Sequence, residues 1–235
     1  MKETELMINI NPNSMFSESI KSIRTNLQFS AIDKEIKTIL VTSPEPGNGK
    51  SFISANLACA YAQDGKKVLI IDCDLRRGRQ HNIFEVENAS NGGYSNLILN
   101  YKDEIKLTRY VTKTEIKGIE LIPTGQTPPN PLELLTSKNN EKVIKELRKH
   151  YDVIILDCPP ILGISDTQIM TKYSDANVLV VTSGKTPIEL VERCKKVFEA
   201  ANSKIDGVII NSASVKGSSY NSYYASSYYS SDEKK

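Results

Sequence analysis

The sequence predicts an α/β fold, with a mostly parallel sheet carrying helices on both faces. Three observations predict it. Short apolar, β-branched runs alternate with segments of helical period along most of the chain. A glycine-rich stretch, PGNGKS at residues 46–51, separates the first such run from the first Ala-rich helical segment. Two later runs, KVLIID and DVIILD, each end in an aspartate, Asp72 and Asp157.

Bulk composition sets the bounds. A chain of 235 residues suffices for one large domain with a well-buried core. Apolar residues at 39% and charged residues at 25% are ordinary for a soluble globular protein. A net charge of +2 makes no case for nucleic acid as a partner. No apolar run approaches the roughly 18 residues of a membrane span. The N-terminal MKETELMINI lacks the apolar core of a signal peptide. Four cysteines, Cys59, Cys73, Cys158 and Cys194, show no metal-ligand spacing and read as reduced thiols of a cytosolic protein. Cys73 and Cys158 each follow a strand-end aspartate, where a small residue filling a crowded site is the expected role. His81 and His150 stand alone.

Residues 1–14 read as an extended lead-in. Residues 15–30 put Ile20, Ile23 and Leu27 on one helix face. The polar face carries Glu18, Lys21 and Arg24, spaced for i, i+3 pairing. Residues 36–42 (IKTILVT) read as a strand and residues 52–62 (FISANLACAYA) as a helix. Between them the glycine-rich stretch is a phosphate-binding loop. Gly47 and Gly49 let the backbone curl so that successive N–H groups face an anion. The following helix adds its N-terminal dipole. Lys50 supplies a point charge for the β- and γ-phosphates and Ser51 a hydroxyl ligand for Mg²⁺. Gly47, Asn48, Gly49, Lys50, Ser51 and Phe52 are the expected nucleotide-binding set. The general pattern G-x-x-x-x-G-K-[ST] has glycine where this chain has Pro44.

Residues 67–72 read as a buried strand running into Asp72-Cys73-Asp74-Leu75-Arg76. Acidic residues at the end of a parallel strand beside a phosphate loop stand where a metal or an attacking hydroxyl would be. One of Asp72 and Asp74 would serve the metal shell and the other the nucleophile. Arg76, Arg77, Arg79 and His81 form a basic run that would face phosphates, a neighbouring subunit or solvent. Residues 85–95 are turn-rich, and residues 94–100 read as a short helix. Residues 119–123 read as a strand, and 125–131 (GQTPPNP) as a rigid loop. Helices are expected over 132–135 and 141–149. Residues 152–160 (DVIILDCPP) form an apolar strand stopped by two prolines. Asp157 then sits as a Walker B carboxylate, placed to organise Mg²⁺. Residues 177–182 read as a strand, 187–201 as a helix opened by Pro187, and 206–211 as the last strand.

Beyond residue 211 the composition turns Ser-rich with few aliphatics, and disorder is expected. Five of the 11 tyrosines fall here: Tyr220, Tyr223, Tyr224, Tyr228 and Tyr229. They read as flexible phosphoryl acceptors. The tail leaves from the edge of the sheet that carries the phosphate loop. From Asn211 to Tyr229 it spans roughly 60 Å at about 3.3–3.6 Å per residue, enough to reach its own site or a neighbour's.

Together these residues resemble the bacterial tyrosine kinases of capsule and exopolysaccharide synthesis, from about Ser17 to the end of the chain. PGNGKS matches the Walker A motif of that family. VLIIDCDLRRGRQH (68–81) resembles its Walker A′ motif, hydrophobic-D-x-D-x-R, and IILDCPP matches its Walker B. TPPNPLELL resembles a recurrent family loop, and the tyrosine cluster completes the set. Gly78 stands where the family often has proline. The resemblance implies a P-loop NTPase fold, with residues 1–14 as lead-in, 15–211 as kinase domain and 212–235 as a flexible acceptor tail.

The resemblance also implies ATP and Mg²⁺ as cofactors. Lys50, Asp72, Asp74 and Asp157 are the implied catalytic residues, and Ser51, Asp74 and Asp157 the implied metal site. Asn211 is a candidate for contacting adenine. The family's E-x-x-R-x-x-R oligomerisation motif appears as Glu18, Lys21 and Arg24, with lysine in place of the first arginine. Lysine lacks the bidentate fork that arginine offers a carboxylate. Further implications are a homo-oligomer, with a ring among the options, and a cytoplasmic protein drawn to the membrane by an anchored activator's tail. A cognate tyrosine phosphatase is the remaining implied partner.

Two other readings compete. A switch ATPase of the septum-site or partition type would carry a second lysine early in its loop, where this chain has Glu45. It would also end in a basic amphipathic helix rather than in tyrosines. An ATP-gated scaffold of a polysaccharide export complex would use nucleotide and tail charge to set assembly, with catalysis incidental.

Overall fold

The structure is a computed structural model that describes residues 6–29, 35–87, 92–102 and 107–213. The N-terminal half contains α1 (Met7–Ile10), α2 (Met15–Phe29), β1 (Thr38–Thr42), α3 (Lys50–Gln63), β2 (Val68–Asp72), α4 (Gln80–Ile83) and α5 (Tyr94–Leu99). Then come β3 (Thr112–Lys113), β4 (Ile119–Ile122), α6 (Pro131–Thr136), α7 (Lys138–Leu147) and β5 (Val153–Asp157). The chain continues through α8 (Asp166–Met170), β6 (Ala176–Thr182), α9 (Ile188–Ala200) and β7 (Gly207–Asn211).

The strands form one sheet in the order β3-β4-β2-β5-β1-β6-β7. Every neighbouring pair is parallel except β3 with β4. The parallel strands therefore end on a common edge, where Thr42, Asp72, Asp157, Thr182 and Asn211 are the last strand residues. Side chains alternate between faces along each strand. Val153 and Ile155 pack with α1, α2 and α3, whereas Ile154 and Leu156 pack with α5, α6 and α7. Leu179 and Val181 meet Cys194 and Phe198 of α9. A strand buried on both sides must be apolar at every position, which is why these runs read as continuous rather than alternating. Each fully buried aliphatic contributes about 1.5–3 kcal/mol relative to exposure.

Helix α3 is enclosed by the sheet on one side and by α1 and α2 on the other. Its Ala-rich sequence follows from that crowding, because small side chains let backbones approach. Helices α6 and α7 start on side-chain caps. Asn130 accepts from the Glu133 N–H at 3.3 Å, and Ser137 accepts from the Asn140 N–H at 3.3 Å. Pro131 opens α6, where its missing N–H costs nothing.

The structure departs from the sequence expectations at several places. Residues 7–10 are helical rather than extended, and Ile8 is fully buried with its N–H on Asn56 Oδ1 at 3.1 Å. The two-residue β3 and the short α8 were not anticipated, since neither has a hydrophobic period long enough to register. Arg76, Arg77 and Arg79 lie exposed in the turn that leads into α4, and of the basic run His81 alone is helical, beside the buried Gln80 and Ile83. Of the expected tail, Ser212 and Ala213 are described, and Tyr220, Tyr223, Tyr224, Tyr228 and Tyr229 lie outside the described residues.

Candidate active site

Gly47 and Gly49 adopt φ values of +86° and +89°, the left-handed region open to glycine. Gly49 is the residue before α3, and no side chain caps that helix. The first N–H groups of a 14-residue helix are thus left to an anion. Gly49 is also confined by space, because a Cβ there would lie 2.2 Å from Asn211 Nδ2.

Side chains from distant strands hold the loop. Asn48 donates through Nδ2 to Thr182 Oγ1 at 3.0 Å and to Thr186 Oγ1 at 2.9 Å. Its Oδ1 accepts from the Glu45 N–H at 3.2 Å. Asn211 donates through Nδ2 to the Asn48 carbonyl at 3.0 Å. The Asn211 amide, expected against adenine, thus clasps the loop, and its Oδ1 accepts from the Ser212 N–H at 2.8 Å. Phe52 is half-buried, its ring 5.2 Å from that of Phe16.

Lys50 points back along the strand ends. Its Nζ lies 3.4 Å from Asp74 Oδ2, 3.9 Å from Asp157 Oδ1 and 3.2 Å from Ser51 Oγ. Burial alone would lower its pKa. The carboxylates of Asp157, Asp74 and Asp72 outweigh burial and raise it, so the ammonium is held charged.

The aspartates converge because β2 and β5 are neighbours. Asp72 and Asp157 are register partners, both fully buried. Asp157 shares its strand face with Val153 and Ile155, the α3 side. It accepts from Ser54 Oγ at 3.3 Å on Oδ1 and from Gln80 Nε2 at 2.7 Å on Oδ2. Asp72 accepts from the backbone N–H of Gln80 at 2.9 Å and of Asp74 at 3.3 Å. Burial pushes the Asp72 carboxyl up, to about 8, with the Asp157 charge next in importance. The Gln80 N–H and Lys50 oppose them. Asp74 lies past the strand end and accepts from the Arg77 N–H at 3.0 Å.

The donor set suits a hard cation that keeps most of its own shell. Among the described residues no group of three or more His, Cys, Asp or Glu side chains could hold a metal ion alone. Mg²⁺ in phosphate sites takes one or two protein oxygens and fills the rest with phosphates and water. The Ser51 hydroxyl and the carboxylates of Asp157 and Asp74 fit that need, in a site whose charge already draws in the Lys50 ammonium.

Next to the loop opens a cleft of about 410 Å³. Pro159, Pro160, Leu162 and Leu190 wall it, and Asp74 and Arg193 stand among its lining residues. Arg76, first of the basic run, reaches Asp166 Oδ2 at 3.2 Å.

The Glu18, Lys21 and Arg24 set lies on α2. Lys21 pairs with Glu18 at 2.7 Å and donates to the Pro12 carbonyl at 3.0 Å. Arg24 donates to the Ala60 carbonyl near the end of α3 at 2.8 Å and lies 3.6 Å from Asp64.

Sequence reasoning missed Gln80, Thr182 and Thr186. Gln80 stands inside the stretch matched to the A′ motif but carries no motif position. Thr182 ends a strand that looks like any buried strand, so nothing in the chain flags its hydroxyl.

Comparison with known proteins places the chain among relatives. A family model described as an AAA domain matches residues 36–212. CapB of Staphylococcus aureus is 40% identical over 223 residues, 93% of this chain and 94% of that one. The tyrosine-protein kinase YwqD of Bacillus subtilis is 38% identical over 213 residues, 91% of this chain and 88% of that one. Among solved structures, the chimerical protein CapA2B2 superposes with a TM-score of 0.82 at 38% identity, over 89% of this chain and 90% of that one.

Proposed function

The chain belongs to the bacterial tyrosine kinases of capsule synthesis and is a protein-tyrosine kinase with a P-loop nucleotide-binding fold, and from that premise we propose that it phosphorylates its own C-terminal tyrosines, in trans, using Mg–ATP. The observation that carries the proposal is the convergence of Lys50, Asp74 and Asp157 at the mouth of an uncapped helix.

When bound, Mg–ATP supplies the phosphoryl group and a cation that neutralises charge. The chain's own residues do the rest. Gly47, Asn48, Gly49, Lys50, Ser51 and Phe52 cradle phosphates with backbone N–H groups. The Lys50 ammonium would pair with phosphate oxygens, and the Ser51 hydroxyl, Asp157 and Asp74 would hold the cation. Asn211 holds the loop through the Asn48 carbonyl and would also contact adenine. A tyrosine phenol, with a pKa of about 10, is a poor nucleophile at neutral pH. Phosphoryl transfer through a loose transition state needs little early proton abstraction. Asp72 or Asp74 therefore only has to orient the phenol and take its proton late. The cleft beside the loop, lined by Pro46, Pro159, Pro160 and Asp74, would take an incoming phenol ring.

In this reading residues 15–211 are the kinase domain, residues 1–14 a lead-in, and residues 212–235 the acceptor tail with Tyr220, Tyr223, Tyr224, Tyr228 and Tyr229. No described helix is long and apolar enough to cross a membrane. We place the protein in the cytoplasm, recruited to the membrane and activated by the tail of an anchored partner of polysaccharide export, with a tyrosine phosphatase reversing the reaction. Glu18, Lys21 and Arg24 contribute to a homo-oligomer in which tails reach neighbouring sites. Each phosphate adds about −1.5 to −2 charges. Accumulated charge then repels tails from the acidic sites and loosens the assembly, which regulates polymer synthesis.

The test is phosphosite mapping by mass spectrometry after incubation with Mg–ATP, wild type beside Lys50→Met, alone and with candidate activator tails. Phosphotyrosine within residues 220–229 that vanishes in the variant is expected. ATP hydrolysis without phosphotyrosine, even with an activator, would overturn the autokinase reading.

A further inference from the structure

Gln80 is fully buried, and it joins three separate parts of the site. Its Nε2 donates to Asp157 Oδ2 at 2.7 Å and to the Ser51 carbonyl at 3.0 Å. Its backbone N–H donates to Asp72 Oδ2 at 2.9 Å. One residue thus ties the phosphate-loop helix to the ends of β2 and β5.

The orientation of the amide is determined by its neighbours. Turning it over would set Oε1 against a carboxylate oxygen and a carbonyl oxygen, with no proton among them. In the orientation observed, Oε1 is buried and has no partner. Leaving an acceptor unpaired is unfavourable, so the side chain is held in place by what its nitrogen does.

That nitrogen distinguishes the two oxygens of Asp157. A carboxylate at a strand end can rotate and exchange them. Here Oδ2 is taken by Gln80, and Oδ1 faces Ser54 Oγ at 3.3 Å and Lys50 Nζ at 3.9 Å. Oδ1 is therefore the oxygen on the nucleotide side. We propose that Gln80 is a positioning residue that locks Asp157 so that Oδ1 is presented to the water shell of the bound Mg²⁺. The proposal rests on the Mg–nucleotide reading of this site.

Loop geometry brings Gln80 there. Gly78 approaches Asp72 so closely that a Cβ on it would lie 2.6 Å from Asp72 Oδ2. This close passage delivers the Gln80 N–H to the same oxygen and turns its side chain under β5.

Gln80→Met and Gln80→Leu in the full chain test the assignment. Binding of a fluorescent ADP analogue is titrated with Mg²⁺ and without it, beside kcat, KM for ATP and Tm. For Gln80→Met, loss of a partner that orients a metal-binding carboxylate predicts a rise in half-saturating Mg²⁺ or a fall in kcat of about 10–100-fold, with Mg²⁺-free nucleotide affinity unchanged. Gln80→Leu, which also fills the site without offering a donor, shows the same Mg²⁺-specific shift. A purely structural role lowers Tm and weakens nucleotide binding alike with and without Mg²⁺.

Half-saturating Mg²⁺ and kcat of Gln80→Met both within about twofold of wild type would overturn the proposal, being far short of the 10–100-fold expected. Equal losses of nucleotide affinity with and without Mg²⁺ would overturn it too, as would a drop in Tm alone. If Gln80→Met does not fold, the same measurements on Gln80→Leu decide. A wild-type chain that binds no nucleotide at all overturns the underlying reading instead.

Discussion

Asp72 and Asp157 are direct register partners on adjacent parallel strands, with Cys73 and Cys158 directly behind them. Pairing β2 with β5 converts two aspartates far apart in the chain into one acidic pair at the sheet edge. Alternation sends both carboxylates to the α3 side and both thiols to the opposite face. The charge of the pair sits under Lys50, and its apolar backing sits in the core. Burial first, and then the neighbouring Asp157 charge, make Asp72 hard to ionise, while the carboxylates keep Lys50 charged.

Asn48 is the latch of the phosphate loop. Asn48→Ala removes the donors to Thr182 and Thr186 and the acceptor for the Glu45 N–H. Buried groups left unpaired cost about 1–3 kcal/mol each, so nucleotide affinity should fall on the order of tenfold or more. Calorimetric titration with ADP and Mg²⁺ checks this. Unchanged affinity would show that the loop needs no latch.

Gly78 has no room for a side chain. Its Cβ would lie 2.2 Å from Thr124 Cγ2 and 2.6 Å from Asp72 Oδ2. Gly78→Ala should therefore destabilise by about 1–3 kcal/mol, the usual range for overpacking, and should disturb the Asp72 to Gln80 contact. Urea unfolding measures the first effect and kcat the second.

Asp175 secures the other end of the sheet. Its Oδ2 accepts from Arg148 Nη1 at 2.7 Å and from the N–H groups of Lys37 at 3.0 Å and Thr38 at 2.8 Å. Burial works to raise its pKa, but Arg148 and the two N–H groups prevail and lower it from 3.8. A depressed folded pKa means that this stabilisation is present above the unfolded value and is lost as pH falls through the folded one. Asp175→Asn should cost about 2 kcal/mol at neutral pH, allowing for solvent near the half-exposed arginine. Denaturant unfolding across pH should show the gap between variant and wild type closing below 3.8.

The thiols should be inert in the folded chain. All four cysteines are buried. Burial pushes Cys59 up to about 12 and Cys194 up to about 11, and Cys73 is raised well above its ordinary value. Reactivity follows the thiolate, so a disulfide reagent at mildly alkaline pH should react slowly with native protein and quickly once guanidinium unfolds it. Fast labelling of any of the four in native buffer would contradict this packing.

The sequence by itself determined what contiguous residues can carry. Gly47, Gly49, Lys50 and Ser51 act through neighbouring backbone and one helix terminus, so the strand, loop and helix around them were legible as a unit. Each of the longer strands was legible too, because burial on both faces demands an unbroken apolar run. Asp72 and Asp157 stood out for ending such runs. Tertiary structure alone decided what meets across the sheet. The order β2-β5-β1-β6 brings Asp157 to Lys50 and Thr182 to Asn48. The turn past Gly78 folds Gln80 beneath both aspartates. Packing of α2 on α3 commits Arg24 to the Ala60 carbonyl, an outcome its helical spacing could not reveal. Ile8, in a segment that reads as an extended lead-in, is buried by packing against α2 and α3, and Asn56 of α3 offers its N–H a partner. A hydrogen bond between remote residues leaves no periodic trace in either segment, and only the register of the strands creates it.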